Sequence, residues 1–404
     1  MRVILMNHCH PDRPHVCGLR VGRLGSLLAE RGHKVVIICE APASLFPINS
    51  PKDLSSTLQA HNWDVPYILA LRSSGFYMAS RAREGKLPIG IRHLVIAWTY
   101  LRHWGMFPDW QAVVRGNFAP LSQLFKPDVI WGTFGNTDTW SLCAELSAYA
   151  TIPWVGDYKD NWLAFIPFGF RSLMARRFKL LRHMTVLSSA HCTQANLLFP
   201  RTIKSIMYSG VEYVTNIKTP SKHGVLNILL TGSIYNNTLL TRFCKALGRW
   251  ADTSSTSKVM LIYAGNDGDS VKAAAKNARI TLRVEGFMPQ PDLHRLQAEV
   301  NVNVYLFNPI CLLHHKALEL IAAGRPLIAF GGETLEVQGL ASRAGTLLYP
   351  CVNGAELHQA LDLCEKPQLV DSPLETRKLQ TWSSCADVLE DVLRNAISIS
   401  RGFN

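Results

Sequence analysis

The stretch HHKALELIAAGRPLIAF, residues 314–330, combines an amphipathic helix, its stop signal and a short buried strand. Ala317 and Ile321 recur at helical spacing, so they belong on one apolar face. Gly324 can adopt the left-handed conformation that closes a helix, and Pro326 prevents its continuation. The apolar residues after Pro326 are typical of a buried strand. The segment therefore predicts a helix-to-strand unit of an α/β fold.

Lys316 and Glu319 are three residues apart on this helix, so their side chains share one face close to its N-terminus. Free backbone N–H groups and the helix dipole favour an anion there, and Lys316 adds a positive charge. Glu319 can accept hydrogen bonds from a sugar diol. Together they suit a phosphate and a ribose, which a nucleotide-sugar carries. The alternative is a surface Lys–Glu pair.

The segment resembles the donor-site helix of GT-B glycosyltransferases of family four. The residues in register are Lys316, Glu319, Ala322, Gly324, Pro326 and Ile328. Leu318 lies between the two charged residues and is included in the predicted donor site. Cys311 stands where many members of that family carry another Glu. The resemblance extends, in the expected order, over nearly the whole chain and implies a retaining enzyme without a bound metal.

Composition supports a globular protein of two or three domains. The chain has 404 residues, 48% of them hydrophobic and 18% charged. No apolar run approaches the ~20 residues that span a bilayer, and the N-terminus is predicted to be a first strand instead of a signal peptide. The ten cysteines form no C-x-x-C pair, so we expect free thiols in a reducing cytoplasm. Cys9 and Cys17 lie among histidines, but their spacing matches no common zinc site.

The net charge of +12 is concentrated in two regions. Residues 71–115 mix arginines with tryptophans, and residues 171–182 carry five basic residues and no acid. Basic residues interleaved with aromatic ones suit an anionic membrane interface. A solvated basic face over a core-facing aromatic stripe is the alternative. No nucleic-acid motif accompanies the charge, so nucleic acid is not an expected partner.

Alternation of short apolar runs with helical patterns predicts parallel sheets with helices on both faces. The pattern runs from a strand at Val3–Met6 to another at 205–209, and restarts at Leu226 after a polar segment. We therefore predict an α/β protein of the GT-B class: two Rossmann-like, doubly wound parallel-sheet domains facing across a cleft. The predicted N-terminal acceptor domain is 1–213 with a crossover helix at about 383–404, the linker is 214–225, and the donor domain is 226–380.

The turn after the first strand contains two histidines, and a glycine follows at the start of the next helix. Open parallel sheets bind ligands at the carboxyl ends of their strands. His8 is therefore a candidate acid/base group and His10 a candidate acceptor-binding group. Gly18 can let the backbone approach the donor diphosphate. A simple turn with solvated histidines is the alternative.

A second segment, PWVGDYKDNW at residues 153–162, ends a predicted strand with two carboxylates and a cation. It resembles the Pro-Trp-Val-Ala-Asp-Phe-Arg-Asp-Pro-Trp motif of a bacterial glycosyltransferase subgroup. Asp157 and Asp160 are candidate catalytic residues that orient acceptor hydroxyls or take a proton. Lys159 and Trp162 are candidate acceptor-binding residues. A strand-terminal salt-bridge network is the alternative.

Two glycine turns complete the predicted donor site. Thr231, Gly232 and Ser233 follow a strand, and their hydroxyl and backbone N–H groups can hold a diphosphate. Gly286 and Phe287 match the pattern that lies beside the nucleotide base in the resembling family.

These features predict a retaining glycosyltransferase that moves a sugar from a nucleotide-sugar to a hydroxyl acceptor in polysaccharide or glycolipid synthesis. No cofactor or metal is expected. The expected partners are the nucleotide-sugar, a glycan or lipid-linked acceptor and an anionic membrane surface, which implies a cytoplasmic protein, peripheral on the inner face of the membrane. Two alternatives stay open: a GT-B nucleotide-sugar epimerase, and a non-catalytic relative that binds glycan or membrane.

Overall fold

The structure, a computed structural model, describes residues 1–13, 15–42, 51–72, 77–212, 224–253, 258–365 and 378–401. The chain divides into two compact units. The first comprises Met1–Gly210 and Trp382–Asn404, and the second comprises Val211–Thr381. Residues 214–223 of the predicted linker lie outside the described residues, and its last residue, Val225, begins a strand.

One parallel sheet forms the centre of the first unit. Its strands, within the described ranges, are β1 (Arg2–Met6), β2 (Lys34–Glu40), β3 (Tyr67–Leu71), β4 (Val129–Thr133), β5 (Trp154–Tyr158), β6 (His183–Val186) and β7 (Ile203–Ile206). Their order is β3-β2-β1-β4-β5-β6-β7. The chain reverses its direction of progress between β1 and β4, and ligands of such sheets bind at the carboxyl ends beside that switch.

The helices of the first unit connect these strands. Those that precede the second unit are α1 (Val16–Glu30), α2 (Pro51–Ala60), α3 (Tyr77–Arg83), α4 (Ile89–His103), α5 (Pro108–Gly116), α6 (Phe118–Pro120), α7 (Thr137–Ala150), α8 (Trp162–Phe165), α9 (Arg171–Arg177) and α10 (Ser189–Leu198), with a π-helical turn at Leu121–Phe125 and a 3-10 turn at Phe168–Phe170.

The second unit has its own parallel sheet. In the described part of the chain its strands are β8 (Val225–Thr231), β9 (Lys258–Ala264), β10 (Thr281–Gly286), β11 (Val302–Leu306), β12 (Leu327–Phe330) and β13 (Leu348–Cys351), in the order β10-β9-β8-β11-β12-β13. Its helices are α11 (Asn237–Thr253), α12 (Gly268–Asn277), α13 (Gln290–Glu299), α14 (His315–Ala322), α15 (Leu335–Arg343) and α16 (Gly354–Glu365). The switch point here lies between β8 and β11.

The last helix, α17 (Trp382–Arg401), belongs to the first unit. Its apolar residues Leu389 and Leu393 join Val21 and Leu24 of α1 in one buried cluster against the sheet. Both helices therefore cover the same face, which explains why the end of the sequence keeps a helical apolar period. Among the described residues, helices long and apolar enough to cross a membrane are absent.

Burial explains the composition of the strands. Every residue of β4 and of β5 is buried, because helices cover both faces of a parallel sheet. The predicted strand Val3–Met6 agrees with β1 to within one residue, and the strand predicted at 205–209 begins two residues after the start of β7 and ends three after its end. Strand β3 was not predicted. It alternates buried and half-buried residues at the sheet edge, a period-two signal that five residues carry only weakly.

Candidate functional site

In the second unit, the turn after β8 lies at the switch point of the sheet, and its conformation requires glycine. Gly232 has a φ of +80°, and a Cβ there would lie 2.6 Å from Nζ of Lys316. The backbone N–H of Gly232 donates to Ala264 O at 2.8 Å, and its carbonyl accepts from the Tyr263 hydroxyl at 2.8 Å. The turn is thus held by β9 while one side faces the Lys316 ammonium.

Lys316 extends from the first turn of α14 to the end of β8. Its Nζ donates to the carbonyl of Thr231 at 2.6 Å. Burial lowers the pKa of Lys316 to about 8 against the opposing effect of Glu319. Among the described residues, the Thr231 carbonyl is the one protein acceptor of this ammonium, so it keeps donors for an incoming anion.

The N-terminus of α11 adds partial positive charge to that of the Lys316 ammonium. Asn236 caps this helix by accepting from Leu239 N at 2.9 Å. The Asp267 carboxylate accepts from Ile234 N at 2.8 Å and fixes the loop between the glycine turn and the helix. Ser233 is exposed in this loop, and Thr231 Oγ1 is buried without a hydrogen-bond partner among the described residues. The arrangement offers the Ser233 hydroxyl and the N-terminus of α11 beside a cation, which suits a diphosphate.

Glu319 lies one turn further along α14 among polar side chains. Its Oε1 is 3.1 Å from His315 Nε2, 3.9 Å from His294 Nε2 and 3.3 Å from the donating amide of Gln290. Burial opposes ionisation, but the two imidazoles outweigh it and hold the pKa of Glu319 well below its usual range. With its side chain 16% exposed, Glu319 is an ionised acceptor that a ligand can reach.

The glycine turn after β10 connects to the same carboxylate. Gly286 has a φ of +70° and accepts from Gly265 N at 2.8 Å. Phe287 is 64% exposed, which leaves its ring free to cover a flat ligand group. Helix α13, which starts three residues later, supplies Gln290 and His294 to Glu319. Leu318, which the sequence included in the predicted donor site, has a side chain that is buried in the interior of the unit.

In the first unit, Asp157 lies at the end of β5 and is fully buried. Both of its oxygens accept from Arg20, whose Nε and Nη2 are each 2.9 Å away. The hydroxyls of Thr133 and Thr185 donate to them as well, at 2.7 Å each. This is the strand-terminal network that the sequence left as the alternative, and it supports a structural role for Asp157.

Lys159 and Asp160 form a neighbouring pair. Nζ of Lys159 donates to Asp160 Oδ2 at 2.6 Å. Burial opposes protonation of Lys159, but Asp160 and Cys17 outweigh it and raise the pKa of Lys159 above its ordinary value. The Asp160 side chain is 29% exposed and stays accessible to a hydroxyl ligand. Trp162, by contrast, is fully buried and stacks on Phe199 at 4.9 Å between ring centroids.

The two loop histidines are packed as well. His8 lies against Phe107 with ring centroids 3.9 Å apart. Burial, with Arg13 and Arg83, lowers the pKa of His8 to about 3, far from the value that suits a general base near neutral pH. His10 is buried and accepts from Asp12 N at 3.2 Å. Gly18 allows α1 to pack against the backbone carbonyl of His10. The glycine therefore permits a close backbone contact within the chain and not the approach of a ligand.

Several site residues were not identified from the sequence. Arg20 and the two threonines that hold Asp157 lie on three other elements, and no local signal connects them. Gln290 and His294 reach Glu319 from α13. His315 could have been found, since it precedes Glu319 by four residues on the same helix face.

Similarity in structure is extensive, although no protein-family model and no curated protein sequence matches the chain. HepE of Anabaena in complex with UDP has a TM-score of 0.60 at 13% identity, with 100% of this chain and 98% of that one covered. A Listeria monocytogenes protein described as a UDP-N-acetylglucosamine 2-epimerase has a TM-score of 0.58 at 13% identity over 97% and 95% of the chains. A glycosyltransferase of Rickettsia africae has a TM-score of 0.56 at 12% identity over 99% and 98%. The chain therefore has the GT-B fold, as predicted.

Proposed function

We propose that the protein is a glycosyltransferase that binds a nucleotide-sugar in its second unit and transfers the sugar, with retention, to a hydroxyl acceptor in polysaccharide or glycolipid synthesis. The observation that carries the proposal is the position of Lys316 and Glu319 on α14: a buried ammonium against the Thr231–Gly232 turn, and an ionised carboxylate one turn away. The UDP complex of HepE, which has the same fold, makes UDP the first nucleotide to test.

Each part of a nucleotide diphosphate has a counterpart in this site. An ionised Glu319 can accept from both hydroxyls of a ribose, since a carboxylate has only acceptors. Lys316, the exposed Ser233 hydroxyl and the start of α11 meet the diphosphate charge and stabilise it as it leaves, without a divalent cation. Phe287 covers the base. In the first unit, Asp160 with Lys159 is the accessible carboxylate that can orient an acceptor hydroxyl.

A nucleotide panel followed by a turnover assay tests this function. UDP, GDP, ADP and dTDP are titrated in a thermal-shift experiment, because a ligand of the folded state must raise the melting temperature. The sugar form of the nucleotide that binds is then incubated with EDTA and a hydroxyl acceptor and followed by NMR. Retained anomeric configuration in a new glycoside supports the proposal. Conversion of the donor sugar without an acceptor would instead indicate an epimerase. A melting temperature that no nucleotide raises would indicate a non-catalytic protein.

The low pKa of Lys316 predicts a pH dependence of UDP affinity. The ammonium is charged at pH 7 and mostly neutral at pH 9, so affinity for the diphosphate should fall roughly tenfold between them. Calorimetric titrations at both pH values measure this. Lys316→Met should bind more weakly and show little pH dependence, whereas Lys272→Met, at an exposed position on α12, should behave as wild type. Equal pH profiles for wild type and Lys316→Met would contradict the assignment.

The exposed apolar face of helix α4 supports the proposal that the acceptor is used at a membrane surface. Ile91, Leu94, Trp98 and Leu101 recur along one face, and the structure leaves them 47%, 71%, 48% and 63% exposed. Arg92 and Arg102 lie beside this face. An exposed apolar stripe with flanking cations suits an interface of anionic lipids, into which the stripe inserts.

Replacing Leu94 and Leu101 by Glu should therefore weaken binding to phosphatidylglycerol vesicles by at least about tenfold, because apolar burial is lost and like charge is added. Co-sedimentation measures the bound fraction. Leu197→Glu, at an equally exposed position on α10, is the matched control. If the double variant sediments like the control, α4 is not the membrane contact.

A further inference from the structure

A separate cavity of about 840 Å³ lies at the amino ends of β5, β6 and β7, at the sheet edge opposite to Asp157 and Lys159. It is lined wholly by residues of the first unit, including the end of α7 and the last turns of α17. The volume falls within the range of small-molecule sites. The proposed nucleotide-sugar site does not use it.

One wall of the cavity is apolar and open to solvent. It includes Phe178 and Leu181 in the interior, and Leu180, Ile203 and Ile399 towards the surface. The last three are 70%, 54% and 36% exposed. Large apolar side chains gathered at a concave surface mark a binding site for an apolar group.

The rim of the same cavity is basic. Arg177 is paired with Glu145 at 2.7 Å, and Arg115 shares that carboxylate. Arg182 and Arg201 are exposed on the rim and form no ion pair within the described part of the chain. The C-terminus of α7 contributes roughly half a negative charge. Its Ser147 carbonyl already accepts from the Ile152 amide, so the guanidinium charges of Arg182 and Arg201 dominate.

A buried polar atom in the wall lacks a partner. His183 is 5% exposed, and its Nε2 has no hydrogen-bond partner among the described residues. Nε of Arg177 is also buried and has no hydrogen-bond partner among the described residues. Both residues line the cavity, and leaving such buried groups unsatisfied is unfavourable.

We propose that this cavity binds an amphipathic phosphate, a phosphate group that carries a hydrocarbon chain. The phosphate lies at the rim, where Arg182 and Arg201 supply the forked donors that match its oxygens. The chain lies against Ile203, Leu180 and Ile399. The site is thus distinct in position and chemistry from the donor site, and its occupancy does not depend on the proposed transferase activity.

Isothermal titration calorimetry of the whole chain with alkyl phosphates tests the proposal. Octyl phosphate should bind, and Arg182→Gln/Arg201→Gln should weaken it by at least about tenfold. Both positions are exposed, so the variant should fold and keep the UDP-induced thermal shift. Arg176→Gln, at an exposed position that does not line the cavity, is the matched control and should bind octyl phosphate as wild type does.

The chain length and the head group are varied separately. Across butyl, hexyl and octyl phosphate, affinity should rise about threefold to fourfold for each methylene that the cavity buries. Octanol should bind wild type and the double variant alike. Three results would each overturn the proposal. They are an affinity that does not change with chain length, inorganic phosphate that binds as well as octyl phosphate, and a double variant that binds octyl phosphate like the Arg176→Gln control.

Discussion

Glu319→Gln is expected to weaken UDP binding by about 30-fold, while the protein stays folded. The variant keeps the shape of the side chain but replaces an ionised acceptor of two ribose hydroxyls by a neutral amide. Hydrogen bonds to a charged group contribute about 1.5–3 kcal/mol each, and one of the two acceptor oxygens remains, so a loss of about 2 kcal/mol follows. Calorimetric titration with UDP measures it.

The neighbours of Glu319 make this effect specific. His315 and His294 hold the pKa of the carboxylate well below its usual range, so Glu319 carries its negative charge near neutral pH. Glu299→Gln, at an exposed position at the end of α13, is the matched control and should leave UDP affinity unchanged. UDP binding that survives in Glu319→Gln would remove the ribose role from this residue and weaken the donor-site assignment.

Arg20→Met is expected to lower the free energy of unfolding by about 3–5 kcal/mol, the range for removing one partner of a buried ion pair. Arg20 and Asp157 are both fully buried, and the guanidinium also donates to the carbonyls of Met207 and Tyr208. Within the described ranges, the variant leaves the Asp157 charge with the Thr133 and Thr185 hydroxyls as its remaining donors. At about 2–4 °C per kcal/mol, the melting temperature should fall by roughly 6–20 °C.

A second substitution separates charge from packing. Adding Asp157→Asn to Arg20→Met removes the uncompensated carboxylate and should recover part of the lost stability. Arg23→Met, at an exposed position on the same helix, is the control and should melt within about 2 °C of wild type. Thermal denaturation followed by circular dichroism measures all four proteins. A small effect of Arg20→Met, equal to that of the control, would show that the pair does not stabilise the fold.

Local sequence signals were sufficient for the regular elements that carry the proposed donor site. The helix that starts near His315 and the strand Leu327–Phe330 lie where apolar spacing, Gly324 and Pro326 placed them. Gly324 has a φ of +71°, the left-handed conformation expected at a helix end. Strand β3 was missed because its alternating pattern is short and lies at the sheet edge.

The chemistry of the carboxylates depended on distant residues. At Asp157 the sequence allowed both a catalytic group and a structural ion pair, and the structure supports the pair because Arg20 reaches it from α1. At Glu319, His315 comes from the same helix, but His294 and Gln290 come from α13. Solvent exposure also depends on the tertiary structure. Trp162 packs in an aromatic cluster, whereas the apolar face of α4 is exposed to solvent.

The sequence by itself determined the fold class, the main strands and helices, and the pairing of Lys316 with Glu319 on one helix face. These follow from side-chain periodicity and turn chemistry, which act between residues close together in the chain. Only the tertiary structure decided which charges are buried against which partners, and it alone revealed the cavity at the amino ends of β5–β7. Sheet order brings together residues far apart in sequence, and the pKa of a side chain depends on that environment and not on its sequence neighbours.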